Sequence, residues 1–507
     1  MLHSFRQRSK SINISKSLLF CPSCRNIFDS IIDRIAQYKE RSAILPGVGS
    51  PFPTIVQPDI DLEALFKSRD QLQINLQRRH WIVDVNKLYA DFRKWQTLNE
   101  QINSTTQEYL NCSELLKQHS HHDPQQSNYY KQKVAELRTN IQQFREQLQP
   151  LNAKFLVACL RLPNALHVAV PEKGDVKLIF EHGVQRKSSL TMRSWRDLSE
   201  VIKQDATPFS KYSFGEFAQL EYLLLSYFNN ELDRHDMNFC SSVNVCKSFV
   251  IEAFGRNFAD MKNGFNIIEE HPDEEHTVDL YHLYGTASPI GLIAPFIRKN
   301  FSTDSLPFFV YSIGRNYSPE HGQSSCIELL CFSNEHSHYL LTDDQKTPQI
   351  LKEQCEQFER LLKSTITKND PTSINLQSKS IDFLYIQIVN IIVSLYRRLL
   401  LPIRLTLSPA YELSSYETLR LNIEIYLPSQ IDYLRVGSVS LLNDYLSRRL
   451  MIRNNTYAFQ CENTNYISMV HARVANVTQL SKCVVEAYQT IGRGLKLPAA
   501  LSTLCKW

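Results

Sequence analysis

Residues 85–116 have the sequence VNKLYADFRKWQTLNEQINSTTQEYLNCSELL, along which apolar side chains recur at alternating steps of three and four residues. The apolar positions are Val85, Leu88, Phe92, Trp95, Leu98, Ile102, Tyr109, Cys112 and Leu116. This spacing places one apolar stripe along an α-helix, and such a stripe is buried when a second helix packs along it. The stretch therefore predicts one half of a helical coiled coil.

A second segment, residues 134–158, repeats the pattern and supplies the partner helix. Its apolar residues are Val134, Leu137, Ile141, Phe144, Leu148, Leu151, Phe155 and Ala158. Asp123-Pro124 marks a turn between the two segments. Two helices of this length joined by a turn predict a long antiparallel α-helical hairpin of about 50 Å. We place this hairpin, the arm, at residues 61–161.

The rest of the chain, residues 162–507, shows a different pattern of apolar and polar residues. Strand-like segments at 308–313 and 421–427 alternate with helix-like segments at 349–364 and 382–401. They do not follow the regular alternation that a parallel sheet requires. The fold class predicted for the whole chain is therefore α+β, with the helical hairpin followed by a domain built on an antiparallel sheet.

Residues 1–28 are rich in arginine, lysine and serine, and no acidic residue occurs before Asp29. This composition is typical of a mitochondrial transit peptide and predicts a mitochondrial matrix protein. The alternative is a disordered basic tail. Residues 29–60 contain several prolines and glycines and are predicted to be a linker.

The overall composition excludes some classes of protein. The net charge of +4 is too small for a polybasic nucleic-acid binder, so any nucleic-acid surface must be local. No run approaches the roughly 18 apolar residues of a membrane span, and no integral membrane association is expected. The twelve cysteines show no metal-ligand spacing beyond the lone Cys21/Cys24 pair. No metal site is predicted.

Several short segments, in the same order along the chain, resemble motifs of the seryl-tRNA synthetases, which are class II aminoacyl-tRNA synthetases. They are residues 76–88 (LQRRHWIVDVNKL), 162–175, 215–221 (GEFAQLE, motif 1), 423–428 (IEIYLP), 444–450 (DYLSRRL), 486–489 (EAYQ) and 497–501 (LPAAL). The resemblance implies that the arm is tRNA-binding-arm-like and that residues 162–507 form a class II synthetase-like antiparallel-sheet domain. Within the family, the chain is most similar to catalytically degenerate mitochondrial paralogs of insects.

The departures from the family fall on residues that amino-acid activation needs. By the resemblance, Ser288 stands where the family has the carboxylate that binds the serine amine, and Tyr317 stands at the glutamate of motif 2. Arg435 replaces the glutamate that faces metal and ATP. Gln479 replaces the motif 3 arginine that holds the γ-phosphate. These four degenerate positions leave no predicted catalytic residue.

The chemistry of the replacements explains why activity is not expected. Glutamine has neither the charge nor the fork of a guanidinium for binding phosphate. An arginine repels Mg²⁺ where a carboxylate binds it. The sequence therefore predicts a pseudoenzyme without seryl-tRNA synthetase activity and without a cofactor. The alternative is a shifted motif register, but motif 3 is glycine-rich in the family and no glycine occurs between Gly437 and Gly492.

Two surfaces remain that do not depend on the active site. The arm offers basic residues that could contact RNA if they cluster on one side: Lys87, Arg93, Lys94, Lys131, Lys133, Arg138 and Arg145. The alternative is an ordinary solvated coiled-coil face. Motif 1 builds the dimer interface of class II synthetases, and its apolar residues here are Phe217, Leu220, Leu224, Tyr227 and Phe228. The alternative for these is helix core.

The function that the resemblance implies is support of mitochondrial translation and gene expression by a non-catalytic paralog. Its expected partners are mitochondrial RNA, with serine tRNA as one candidate, and the active mitochondrial seryl-tRNA synthetase in a heterodimer. A homodimer is the alternative assembly. Two other functions stay open: a scaffold that binds proteins only, and an enzyme with altered ATP-dependent chemistry.

Overall fold

The computed structural model describes most of the chain after residue 55. The described ranges are 42–45, 56–119, 124–172, 174–184, 193–198, 213, 215–258, 260, 265–267, 281–319, 322–341, 348–368, 376–378, 380–455, 466–489 and 497–503. The predicted transit peptide at 1–28 lies outside them, as do residues 29–41 and 46–55 of the predicted linker.

The described α-helices are α1 (Leu62–Lys67), α2 (Arg69–Arg78), α3 (Val85–His119), α4 (Pro124–Leu160), α5 (Trp195–Leu198), α6 (Gly215–Asp233), α7 (Ser248–Ala253), α8 (Pro289–Ile293), α9 (Pro348–Lys368), α10 (Ile381–Arg398), α11 (Tyr445–Leu450), α12 (Val477–Tyr488) and α13 (Ala499–Ser502). Short 3₁₀ helices lie at Ala294–Phe296, Thr303–Ser305 and Ala410–Glu412.

The described strands are β1 (Lys177–His182), β2 (Asn238–Phe239), β3 (Val245–Lys247), β4 (Phe265–Ile267), β5 (Tyr281–Leu283), β6 (Asn300–Ser302), β7 (Phe308–Ser318), β8 (Gly322–Ser333), β9 (Ile403–Leu407), β10 (Leu419–Leu427), β11 (Asp432–Asn443), β12 (Arg453–Asn455) and β13 (Ser468–Asn476).

Helices α3 and α4 lie where the apolar spacing predicts the arm. Trp95, early in α3, donates its indole N–H to Asn152, late in α4, at 2.9 Å, so the two helices run antiparallel. At the base of the arm, Phe66 of α1 stacks on Phe92 with ring centroids 4.8 Å apart. The ring of Phe155 of α4 lies 6.2 Å from that of Phe66. These aromatic contacts fix the arm to α1, and the supercoiling of the two long helices remains a prediction.

An eight-stranded sheet forms the centre of the domain, in the order β1-β9-β10-β11-β13-β8-β7-β2. Its neighbouring strands are antiparallel, except that β2 pairs with β7 in parallel. The predicted strands at 308–313 and 421–427 are parts of β7 and β10. The prediction of an α+β fold around an antiparallel-dominated sheet is confirmed.

Helix α10 packs against one face of this sheet with almost every residue buried. Such a helix needs apolar neighbours on all sides, and its few polar groups must find partners. Tyr385 donates its hydroxyl proton to the Val439 carbonyl and Tyr396 donates to the Val474 carbonyl. In the part of the chain that the structure describes, neither α10 nor any other helix is long and apolar enough to cross a membrane.

Helix α6 corrects one prediction. All five of its apolar residues that the sequence assigns to a dimer contact lie in the chain's own core, namely Phe217, Leu220, Leu224, Tyr227 and Phe228. The hydroxyl of Tyr227 also donates to the Leu395 carbonyl of α10 at 2.9 Å. Because the chain's own core, including parts of α10 and α12, already covers this stripe, it is not an exposed patch that a partner could bury.

Part of the predicted linker is packed against the domain. Ile44 is fully buried, and the Oε2 atom of Glu252 on α7 accepts hydrogen bonds from the Ser42 hydroxyl and the Ala43 and Ile44 amides at 2.7–3.0 Å. Burial raises the pKa of Glu252 to about 7, against the lowering effect of these bonds and of the nearby Arg161. Residues 42–45, the strap, are thus held by a buried carboxyl group.

The base of the arm is joined to the domain through the arginine pair of residues 76–88. The Arg79 guanidinium is buried between α2 and the loop before β10. It donates to Asn75 Oδ1 at 2.9 Å and to the carbonyls of Ser414, Asn164 and Glu417 at 3.1, 3.1 and 2.6 Å. Arg78 is half-buried and donates only to two carbonyls at residues 170 and 171. Arg79 therefore carries most of the polar contacts at this joint.

Candidate functional site

A polar cleft of about 340 Å³ opens on the face of the sheet opposite α10. Side chains alternate between the two faces of a strand, so Val439 and Ala472 face the core while Ser438, His471 and Arg473 face the cleft. The charged residues lining it are Arg256, Glu417, Arg420, Arg435, Arg473 and Lys482. The cleft is therefore strongly enriched in cations.

A buried network forms the floor of the cleft. Glu328 of β8 is completely buried and accepts from Arg473 Nε and from His471 Nε2, both at 2.7 Å. Burial by itself would raise the pKa of Glu328, but the Arg473 guanidinium and the His471 bond hold it below its usual range. Glu328 is thus an anion that fixes both side chains.

A second carboxylate is held in a similar way. Glu417 accepts from the Ser440 hydroxyl at 2.6 Å, from the Ser414 amide at 2.7 Å and from Arg420 at 3.1 Å. Burial tends to raise the pKa of Glu417, and the Arg420 charge together with these bonds lowers it below the usual value. Both cleft carboxylates are already saturated with donors, so neither is free to bind a metal ion.

Arg435 lies at the mouth of the cleft on β11 with its side chain open to solvent. Desolvation by the cleft walls, followed by the charges of Arg420 and Arg473, lowers its pKa. Within the described residues, its guanidinium has neither a hydrogen bond nor an ion pair. The carboxylates at residues 412 and 417 act on it only from a distance.

Comparisons with known proteins agree with this architecture. No protein-family model matches the chain. It is 23% identical over 443 residues to the serine–tRNA synthetase-like protein Slimp of Drosophila melanogaster, with 85% of each chain covered. The seryl-tRNA synthetase from Pyrococcus horikoshii complexed with ATP superposes with a TM-score of 0.62 at 17% identity, over 88% of this chain and 98% of that one.

The chain has the fold of the seryl-tRNA synthetases and is similar in sequence to a seryl-tRNA synthetase-like protein. The cytoplasmic serine-tRNA ligase from Naegleria fowleri in complex with AMP shows the same fold, with a TM-score of 0.61 and 13% identity over 86% of this chain and 93% of the other. Because these sequence identities are low, the structural similarity shows only that the chain shares the fold of these enzymes.

Two of the four positions that the resemblance marks as degenerate lie in the lining of the cleft. Arg435 and Gln479 line the cleft, whereas Ser288 and Tyr317 are not part of its lining. The buried Ser288 caps α8, because its hydroxyl oxygen accepts from the Gly291 amide at 3.0 Å. The Gln479 side chain accepts from Lys482 at 2.9 Å. Both replacements therefore make local contacts within the fold.

Sequence reasoning missed the residues that organise the cleft, which are Glu328, Glu417, Arg420, Arg256 and Lys482. One signal was present in the sequence. Glu328 interrupts the apolar run CIELLCF at residues 326–332, and a charge inside a buried strand requires a partner. Glu417 and Arg420 contact each other and the nearby Ser414 and Glu412, whereas Ser440, the other partner of Glu417, lies on β11 and is identified only by the tertiary structure.

Of the seven basic arm residues predicted to contact RNA, six are exposed and Lys133 is half-buried. On α4, Lys131, Arg138 and Arg145 are spaced by seven residues and therefore share one side of the helix. Successive members lie about 10.5 Å apart along the axis. We call these three residues the basic stripe. On α3, Lys87 and Lys94 share a side in the same way, and Arg93 lies apart from them.

Exposed apolar side chains occur on β2, at the edge of the eight-stranded sheet, and on the small three-stranded sheet β3-β5-β4. Phe239 on the edge strand β2 is 58% exposed. Val243, four residues further along the chain, is also exposed, as are Val245 on β3 and Tyr281 on β5. Edge strands with exposed apolar groups are sites at which another chain can pair or pack. We call Phe239, Val243, Val245 and Tyr281 the edge patch.

Proposed function

We propose that the chain is a non-catalytic seryl-tRNA synthetase paralog of the mitochondrial matrix. In this proposal it binds mitochondrial RNA through the arm, supports mitochondrial translation, and works in complex with the active mitochondrial seryl-tRNA synthetase. The observation that carries the loss of activity is the cleft itself. It holds Arg435 beside Arg420 and Arg473, and its carboxylates Glu328 and Glu417 are saturated by protein donors.

Loss of activation is tested by ATP–pyrophosphate exchange with the full chain, Mg²⁺, and each of the twenty amino acids in turn. We expect no exchange, because a cleft that repels Mg²⁺ and offers no free carboxylate does not stabilise the reacting phosphates. An active seryl-tRNA synthetase assayed in parallel is the positive control. Exchange with serine would overturn the pseudoenzyme proposal, and exchange with another amino acid would favour altered chemistry.

RNA binding is supported by the basic stripe. Along it, the side chains at i+4 from each cation are Ala135, Gln142 and Gln149, so the adjacent helix positions carry no acidic residue. Three cations at intervals of about 10.5 Å fit contacts with phosphates along an RNA backbone. Each phosphate contact adds close to one unit to the slope of log affinity against log salt, so the stripe should account for a slope of about 2 to 3.

The matching experiment reverses the three charges in one variant, K131E/R138E/R145E, and measures binding of mitochondrial transcripts at several salt concentrations. The control variant reverses three exposed charges of α9, K352E/R360E/K363E. We expect the stripe variant alone to lose affinity and salt dependence. Equal RNA binding by the two variants would contradict a role for the stripe, and absence of RNA crosslinks to the wild-type arm would favour the protein-only scaffold.

The partner proposal rests on the edge patch, which replaces the α6 stripe as the candidate contact. The chain is mixed with the active mitochondrial seryl-tRNA synthetase, and the molecular mass of the resulting complex distinguishes a heterodimer from a homodimer. Phe239→Asp should weaken the complex, because it buries a charge in the contact. Ile431→Asp, at a residue that is 71% exposed outside the patch, should not. A complex that tolerates Phe239→Asp would place the interface elsewhere.

The matrix location is tested separately from these activities. Residues 1–28 fused to a fluorescent protein should direct it into mitochondria, since an Arg-rich, acid-poor segment favours import. Replacing the five basic residues of this segment should leave the reporter outside the organelle. A reporter that stays in the cytosol with the native segment would refute the predicted location.

A further inference from the structure

A second cavity lies where the base of the arm meets the domain, and we call it the joint cavity. Its volume is about 710 Å³, and none of the residues that line it also lines the polar cleft. Arg78 of α2 lines it, as do Cys355 and Glu359 of α9. Small-molecule sites in proteins usually have volumes of about 300–1,000 Å³. The joint cavity is therefore large enough for a ligand.

Part of the wall of the joint cavity is apolar. Ala169 and Val170 are buried in the main core, whereas Val168, Leu341 and Leu351 are half-buried. Protein atoms therefore leave part of this apolar surface uncovered. A ligand placed on it gains about 25 cal/mol for each Å² of apolar surface removed from water. The wall thus favours a ligand with an apolar body.

Glu359 contributes a largely buried anion to the joint cavity, since the residue is only 9% exposed. Its Oε1 atom accepts from the Lys177 ammonium and from the Cys355 thiol, the latter at 3.3 Å. Within the described residues no group donates to Oε2, and this atom is accessible to solvent. One oxygen of the carboxylate therefore remains able to accept a hydrogen bond from a ligand.

Arg78 contributes an oriented cation to the same cavity. Its Nη2 atom donates to the carbonyls of Val170 and Pro171 at 2.8 and 3.2 Å, which holds the guanidinium in place. Its Nη1 atom is accessible and has no partner in the part of the chain that the structure describes. The Glu172 carboxylate acts on Arg78 only from a distance. Arg78 can thus donate a hydrogen bond to an anionic group of a ligand.

The charges that line the joint cavity are nearly balanced. Three cations and four carboxylates line it, namely Arg78, Lys177, Lys352, Glu172, Asp175, Glu356 and Glu359. A cavity with this balance favours neither a simple anion nor a simple cation strongly. It matches a ligand that carries one group of each sign and an apolar body between them.

We propose that the joint cavity binds an aliphatic zwitterion, either a short peptide with free termini or a single amino acid. The ligand's ammonium group donates to Glu359 Oε2, its carboxylate accepts from Arg78 Nη1, and its aliphatic side chains lie on the apolar wall. The cavity has the volume of roughly 24 water molecules, which is enough for a dipeptide. The proposal requires neither the RNA-binding role nor the loss of activity.

The experiment is calorimetric titration of the full-length chain with leucyl-leucine and, separately, with leucine. Binding of either ligand supports the proposal, and the tighter of the two identifies the source of the zwitterion. N-acetyl-leucyl-leucine lacks the ammonium group, and leucyl-leucine amide lacks the carboxylate. We expect each capped peptide to bind about 10- to 100-fold more weakly than the free dipeptide, as expected for the loss of one charged hydrogen bond.

Substitutions on α9 locate the site. Glu359→Gln should weaken binding of the free dipeptide by a similar factor. It should leave the affinity for N-acetyl-leucyl-leucine unchanged, because that peptide has no ammonium group for Glu359 to bind. Glu353→Gln, at an exposed residue of the same helix outside the cavity, should change neither affinity.

Three results would overturn the proposal. The first is that neither leucyl-leucine nor leucine binds. The second is that the free and the capped dipeptides bind equally well. The third is that Glu359→Gln leaves the affinity for the free dipeptide unchanged, which would place the bound peptide elsewhere on the chain.

Discussion

Replacing Arg79 by leucine should release the base of the arm from the synthetase-like domain. The wild-type guanidinium is 3% exposed and makes four hydrogen bonds of 2.6–3.1 Å to Asn75, Asn164, Ser414 and Glu417. Burial lowers the pKa of Arg79 to about 10, so the group stays protonated at neutral pH. The substitution removes a charged donor and leaves buried carbonyl oxygens without partners.

The size of the effect follows from these bonds. A hydrogen bond to a charged group contributes about 1.5–3 kcal/mol, and bonds within one network are not additive. We therefore expect a loss of about 4 kcal/mol at the joint. Since about 1.4 kcal/mol corresponds to a factor of ten, opening of this region should become more frequent by about 100- to 1000-fold.

Hydrogen exchange with mass spectrometry on the full chain measures this opening directly. Amides of α2 and of residues 412–418 should exchange faster by about this factor in Arg79→Leu, while those of α10 should not change. Arg78→Leu is the matched control, because Arg78 is half-buried with two carbonyl partners, and its effect should be about tenfold or less. Unchanged exchange in α2 of Arg79→Leu, or equal acceleration by both variants, would refute the assignment of the joint to Arg79.

Three further substitutions test other parts of the structure. Burial raises the pKa of Glu252 from its ordinary 4.5 to about 7, so the folded chain should lose up to about 3 kcal/mol of stability against unfolding as pH rises from 5 to 8. Glu252→Gln should flatten this slope in thermal unfolding, and an unchanged slope would contradict the reasoning. Glu328→Ala leaves the half-buried Arg473 and the buried His471 without their carboxylate partner and should cost about 3 kcal/mol in urea unfolding, whereas wild-type stability would mean that these bonds are dispensable. Gly285→Ala should destabilise by at least about 2 kcal/mol, because φ is +91° and the added Cβ would lie 2.1 Å from the Arg315 carbonyl oxygen; a refolding assay that recovers normal yield would be inconsistent with that clash.

The arm shows what local sequence can determine. The steps of three and four between Val85 and Leu116 and between Val134 and Ala158 depend only on helix geometry. They place both helices correctly, with the observed bounds Val85–His119 and Pro124–Leu160. The same holds for β7 and β10, whose β-branched and aromatic residues mark them as strands.

Helix α6 shows where local sequence fails. Its apolar stripe predicts that one side is buried, and the structure agrees, but periodicity does not say what buries it. Its partners include α12 and α10, both distant in the chain, and the bond from Tyr227 to Leu395 of α10 joins residues 168 positions apart. A dimer contact and a core contact require the same residues at the same spacing, so only the tertiary structure distinguishes them.

For the cleft, too, part of the information is present in the sequence and part only in the tertiary structure. The order of the motifs along the sequence predicts, by resemblance, that Arg435 and Gln479 stand where the family has a glutamate and an arginine. Only the tertiary structure brought Arg435 next to Arg420 and Arg473, bound Glu328 and Glu417 to protein donors, and left His471 Nδ1 without a partner. Charge balance depends on distances between residues on different strands, and strand pairing over long sequence separations sets those distances.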